Sequence, residues 1–332
     1  MREASLETLI TPAIGEKVHN IREHWQDIPF SQVLQDFEET PSVDPTENTS
    51  RALILDPQAG EIDETGTVVL ALPHLNGWTP HHYIRARVMQ QLVAPQKRVI
   101  VFPNNMRGQE NYDVSNLDIY AKNKLAAGIM EPIAEKHLRT LENINSTSSL
   151  GSLSLSGYSL GGRTVLSMAI KASSRLDAVT HLNLDEAPSK RNRTAKQLRK
   201  DFSNPADLIY LYKSVKESQI PALSSAMRMD RMLTGIGWFV MESSKADAKL
   251  IQEGMTGSLD SDLMVIGSDR SIQKKTGYVD GSKLFDPRSL HILTAKTAGL
   301  VRYQGEGFHG HASGDNVINH ALMVNDGLNS AE

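Results

Sequence analysis

Cysteine is missing from all 332 residues. Its absence excludes disulfides, thiolate metal sites and a cysteine nucleophile, and leaves the compartment open. Aromatic residues supply only 5% of the chain, so the core has to be built from Leu, Ile, Val, Ala and Met. Long apolar runs are also lacking: no stretch approaches the ~18 residues of a membrane-spanning helix. The N-terminal segment MREASLETLITPAIGEKVHN is broken by charges and Pro12 where a signal peptide would carry its apolar centre. A cytoplasmic protein is the expectation. Basic excess is absent too. The net charge of −4 gives no field to hold a polyanion, so a nucleic-acid partner is not expected. What remains is an ordinary globular balance of 39% apolar and 22% charged residues, in a chain long enough for one large domain or two smaller ones.

Short β-branched and aliphatic runs at 51–55, 67–72, 98–102, 151–156, 178–184, 262–266 and 300–303 read as strands. The run 67–72 is nearly all apolar, as expected of a strand covered on both faces. Between them, 83–93, 116–142, 162–172 and 315–324 read as helices, with Pro132 expected to kink or break the second. This alternation predicts an α/β fold, a mostly parallel central sheet flanked by helices. Two segments stand outside it. Residues 1–48 read as an N-terminal helical extension, with apolar residues at helical spacing over 21–37. Residues 189–255 read as a helical cap inserted into a core made of 49–188 and 256–332. Within the cap, KRNRTAKQLRK at 190–200 is read as a solvated helix face in preference to an anion site. Met227, Met229, Met232, Trp238 and Phe239 suit either a tunnel for a greasy substrate or ordinary packing.

The sharpest local signal is SLSLSGYSLGGRTVLSMA, residues 152–169, which holds Gly157, Ser159 and Gly161 in a Gly-x-Ser-x-Gly spacing. A strand that turns sharply into a helix lifts a serine hydroxyl clear of the sheet, and bulk two residues to either side would clash. The helix N-terminus behind Ser159 offers N–H groups to a developing oxyanion. The alternative is a tight strand-to-helix turn with a bystander serine.

GYSLGG between strand and helix resembles the α/β-hydrolase family, and the order of elements over about 50–325 is similar to it. The resemblance implies a serine hydrolase acting on a carboxylic ester or related acyl bond, with no cofactor and no metal. Its substrate would be a small-molecule or lipid-like acyl compound. The family order of triad members is Ser, then Asp or Glu, then His. Downstream of Ser159, Asp269 follows the strand in SDLMVIGSDRSI and is the preferred acid. Asp185, ending the previous strand, is the rival, and Glu186 a third choice. The Gly-rich segment GEGFHGHASGD holds His309, the preferred base, and His311. His320 falls in the last helix and is read as a surface or packing residue, and His181 as structural. The backbone N–H of Leu160 is the expected first oxyanion donor. Leu75, or Asn76 beside it, is the second, in LPHLNGW, where His74 and Gly77 are two residues further apart than the family's His-Gly. The loop 103–109 either lines the pocket or forms a plain surface turn. Three other functions stay open: an acyltransferase, a metal-dependent hydrolase using His309, His311 and Asp315, and a non-catalytic binding or scaffold protein on the same fold.

Overall fold

A computed structural model of the chain describes residues 2–57, 66–74, 80–93, 95–105, 130–158, 160–172, 175–176, 179–185, 264–271, 299–306 and 314–329. Their strands are β1 (Arg2–Ser5), β2 (Ser42–Val43), β3 (Ala52–Leu55), β4 (Gly66–His74), β5 (Arg98–Asn105), β6 (Ser152–Tyr158), β7 (Val179–Asp185), β8 (Met264–Ser271) and β9 (Gly299–Glu306). The α-helices are α1 (Pro12–Asp27), α2 (Phe30–Glu39), α3 (Pro80–Leu92), α4 (Met130–Thr147), α5 (Leu160–Ala172) and α6 (Gly314–Asn329), with one 3-10 turn at Leu6–Leu9. The nine strands form one sheet in the order β1-β9-β8-β7-β6-β4-β5-β3-β2. Only β3 runs against its neighbours, being antiparallel to β2 and to β5. Every other described pair is parallel.

The central strands are apolar on both sides because both sides are covered. Val69 and Ala71 of β4, Ile100 and Phe102 of β5, and Leu153 and Leu155 of β6 join one core with α4 and α5. The alternate residues Val68, Leu70 and Leu72, Val99 and Val101, and Tyr158 join a second core with α3 and α6. Fully burying a Val or Leu side chain is worth roughly 1.5–3 kcal/mol, so these two layers supply the main stabilising term.

Residues at the N-terminus take part in both the sheet and the second core. β1 pairs with β9, Arg2 beside Val301 through Ser5 beside Gln304. Val18 and Ile21 of α1 and Val33 of α2 are buried with Tyr83 of α3. Trp25 meets the Tyr83 ring edge-on at 6.4 Å. The helical pattern over 21–37 is two helices rather than one. Ile28 caps the end of α1 and Pro29, which has no N–H to continue an intrahelical ladder, is the N-cap of α2. Pro132 falls in the first turn of the described helix α4, a position that tolerates proline.

Two polar arrangements fasten α4. His137 is buried, stacked on Phe102 at 4.3 Å, and its Nδ1 lies 2.6 Å from Ser50 Oγ. Burial, with Lys136 nearby, pushes the His137 imidazole down to about 3. At the surface, Arg175 donates to both carboxylate oxygens of Glu142 at 2.7 and 2.8 Å and to Glu135 at 2.8 Å. These contacts, Glu142 first, raise the guanidinium's affinity for its proton. The groups are partly exposed and solvent screens them, so Arg175→Met is expected to cost only about 1 kcal/mol, read as a shift in the urea midpoint. An unchanged midpoint would mean that the network contributes nothing.

Candidate active site

One residue, number 159, separates the end of β6 at Tyr158 from the start of α5 at Leu160. Ser159 itself lies outside the described residues, but the glycines on either side of it are inside. A Cβ added to Gly157 would overlap the Gly161 carbonyl and stand 2.5 Å from Gly162 Cα. One added to Gly161 would overlap the Ala71 carbonyl oxygen, with Ala71 C at 2.6 Å and Leu72 N at 3.2 Å. Strand end and helix start therefore fold back on each other, and the helix presses its first turn onto the backbone of β4. Both glycines are required by close backbone approach. Leu160 opens α5, where the first-turn N–H groups have no acceptor within the helix and point back toward its N-terminus.

The C-terminal ends of the parallel strands share one edge, where ligands of open α/β sheets bind. Register fixes the candidate acids along it. Tyr158 pairs with Asp185, Asp185 with Ser268, and Asp269 with Gln304. Asp185 is thus on the strand next to β6, whose tight turn into α5 at position 159 forms an elbow. Asp269 is two strands away, roughly 10 Å by ordinary strand spacing. β8 runs on to Ser271, so Asp269 lies within the strand rather than just past its end. β4 ends at His74, paired with Asn105 at the end of β5, and brings the chain to this same edge immediately before Leu75. Leu75, Asn76, Glu186, His309, His311, the 106–109 part of the second loop and the whole 189–255 cap lie outside the described residues. Asp315 is in the first turn of α6.

Sequence reading missed what lies beneath the elbow. His320 is fully buried, which favours the packing alternative over the surface one, and it is hydrogen-bonded as well. Its Nε2 is 2.5 Å from Ser156 Oγ and its Nδ1 3.1 Å from Arg85 Nη1. The Arg85 guanidinium also lies over the Tyr158 ring, 4.5 Å from its centroid. Arginine only donates, so Nδ1 must accept and the imidazole proton must sit on Nε2, directed at Ser156. This serine receives a hydrogen bond from its histidine. The polarity is opposite to that of a nucleophile and its base. A signal for His320 was present: Val317, Ala321 and Val324, three before and one and four after it, are all buried on the same helix. His181, read as structural, is buried in β7, and burial lowers its proton affinity.

No protein-family model and no curated protein matches the sequence. Solved structures do. The chain is similar to the peroxisomal α/β-hydrolase Lpx1 of Saccharomyces cerevisiae, with a TM-score of 0.52 and 13% identity over 88% of each chain. Weaker likeness extends to Cfl2 of Burkholderia cenocepacia (TM-score 0.47, 11% identity, 88% of this chain and 95% of that one). The enol-lactonase of Burkholderia xenovorans gives 0.44 and 13%, over 87% of this chain and 100% of that one. With the parallel sheet and the tight β6–α5 turn already described, the chain has the α/β-hydrolase fold. No described helix is long and apolar enough to cross a membrane.

Proposed function

We propose that this protein is a serine hydrolase that cleaves a carboxylic ester or related acyl bond. The supporting observation is the one-residue turn at position 159, whose flanking Gly157 and Gly161 are dictated by backbone packing against Gly162 and Ala71. Such a turn has a chemical use: it presents a side chain at the ligand edge of the sheet, beside a helix N-terminus.

In the proposed reaction Ser159 Oγ attacks the acyl carbon while His309 takes its proton. Asp269 holds the imidazole tautomer and stabilises the imidazolium. The Leu160 and Leu75 amides receive the oxyanion. The leaving group departs with the proton from His309, and water, activated by the same histidine, then releases the acyl group from Ser159. The substrate is a small-molecule or lipid-like acyl compound. Asp185, one strand nearer the elbow, is the competing acid, so Asp269→Asn and Asp185→Asn belong in one comparison. The acid is the one whose amide variant loses the larger share of turnover.

The test is labelling with a fluorophosphonate probe. Wild type should label, and Ser159→Ala should not. A folded wild type that fails to label would overturn the hydrolase reading in favour of a binding protein built on the same fold.

A further inference from the structure

Three elements meet in a buried polar knot directly under the elbow, and the proposed reaction does not use it. His320 of α6 donates to Ser156 of β6, Arg85 of α3 donates to His320, and the same guanidinium covers Tyr158. Ser156, Tyr158 and His320 are fully buried and Arg85 is 4% exposed. Ser156 lies three residues before Ser159 on the strand that carries it. α6 starts at Gly314, five residues after His309 and three after His311, so the position of this helix sets where the segment bearing either histidine must end.

We infer that His320 and Arg85 are positioning residues, which hold the nucleophile strand and the base-bearing segment in fixed relation. The inference rests on the serine-hydrolase reading above. A helix packed on a sheet through apolar contacts alone can slide by a fraction of a turn at small cost. A helix tied by a buried hydrogen bond cannot, because sliding leaves both partners unsatisfied. Arg85 makes the tie directional, since its donation to Nδ1 keeps the proton on Nε2, facing Ser156. Its cover over Tyr158 fixes the residue adjoining the nucleophile. The choice between His309 and His311 does not alter the inference, because α6 follows both.

The experiment is the kinetics of fluorophosphonate labelling, resolved into probe binding (KI) and the maximal labelling rate (kinact). In His320→Leu, kinact should fall roughly ten- to a hundredfold, as expected for a displacement of about 1 Å between reacting groups. KI should stay within about twofold. Arg85→Met, which keeps bulk and removes the donors, should show the same split. In His320→Gln an amide N–H can replace the imidazole donor, so much of the rate should return. If His320→Leu does not fold, Ser156→Ala removes only one hydroxyl and reads the same tie. An unchanged kinact in the folded variants, or a Gln variant no faster than Leu, overturns the inference and leaves the hydrolase reading standing. Absence of labelling in wild type overturns the hydrolase reading and takes this inference with it.

Discussion

Gly161→Ala should lower the thermal unfolding midpoint by about 6 °C and abolish fluorophosphonate labelling in the fraction that still folds. The added methyl group would enter the carbonyl of Ala71, with Leu72 N at 3.2 Å behind it. Neither atom belongs to a side chain that could swing away. Both belong to β4, hydrogen-bonded between β5 and β6, so relief requires moving a central strand or lifting α5 off the sheet. Overpacked cores typically lose 1–3 kcal/mol, and a clash against backbone belongs at or above the upper end, about 4 kcal/mol. At about 2.1 cal/mol/K of unfolding entropy per residue, each kcal/mol is worth roughly 1.5 °C in a chain of 332 residues. Lifting the helix also moves residue 159 and the Leu160 amide away from the end of β4, which leads to the other proposed oxyanion donor, so labelling should fail with stability. Gly15→Ala is the control. In α1 the new Cβ would meet only Ile10 Cγ2, at 3.6 Å, so the better helix propensity of alanine should raise stability by up to about 1 kcal/mol. A Gly161→Ala midpoint within about 2 °C of wild type would contradict the packing account.

Acid should destabilise the protein through His137. In the folded state this imidazole is held down to about 3, first by burial and then by Lys136, against an ordinary 6.5 when unfolded. The unfolded chain therefore binds one more proton than the folded chain between these values. The sign follows: stability is intact above pH 6.5, falls as the pH drops through that window, and levels off below about 3. The slope is about 1.4 kcal/mol per pH unit, giving roughly 5 kcal/mol over the full window. His181, also lowered by burial, acts in the same direction. Urea midpoints measured from pH 8 to pH 4 should show the loss. His137→Gln can still bond to Ser50 but does not titrate, so its curve should be flatter by one proton's worth, even if it starts lower at pH 8. Parallel curves for the two proteins would refute the assignment.

The sheet strands were legible because burial on both faces leaves a plain mark. VIVF at 99–102 and VVLAL at 68–72 are apolar without interruption, and both lie inside observed strands, β5 and β4. The elbow was legible for a different reason: two glycines at fixed distance from a serine record a backbone approach that no other residue permits. β1 was not. REAS has a single apolar residue, no alternation and an edge position, where pairing with β9 requires no side-chain pattern. Strand ends such as Pro73–His74 and Asn104–Asn105 were missed because polar residues and proline at the rim look like loop. The buried network escaped because a histidine or arginine becomes a core residue only through partners far away in sequence. His320 and Ser156 are 164 residues apart, and Arg85 and His320 are 235 apart.

The pairing of β1 with β9 also orders events during synthesis. Arg2 sits beside Val301, so β1 leaves the ribosome about 300 residues before the strand it pairs with. At ordinary elongation rates of about 5–20 residues per second that interval is roughly 15–60 s. Throughout it the N-terminal segment has its 3-10 turn and helices available but an unpaired strand ahead of them. Closing the sheet edge is thus a late step of folding, and one with the long loop closure that slows non-local pairing. Pulse-labelled hydrogen exchange on refolding protein should find the amides of residues 2–5 among the last to be protected.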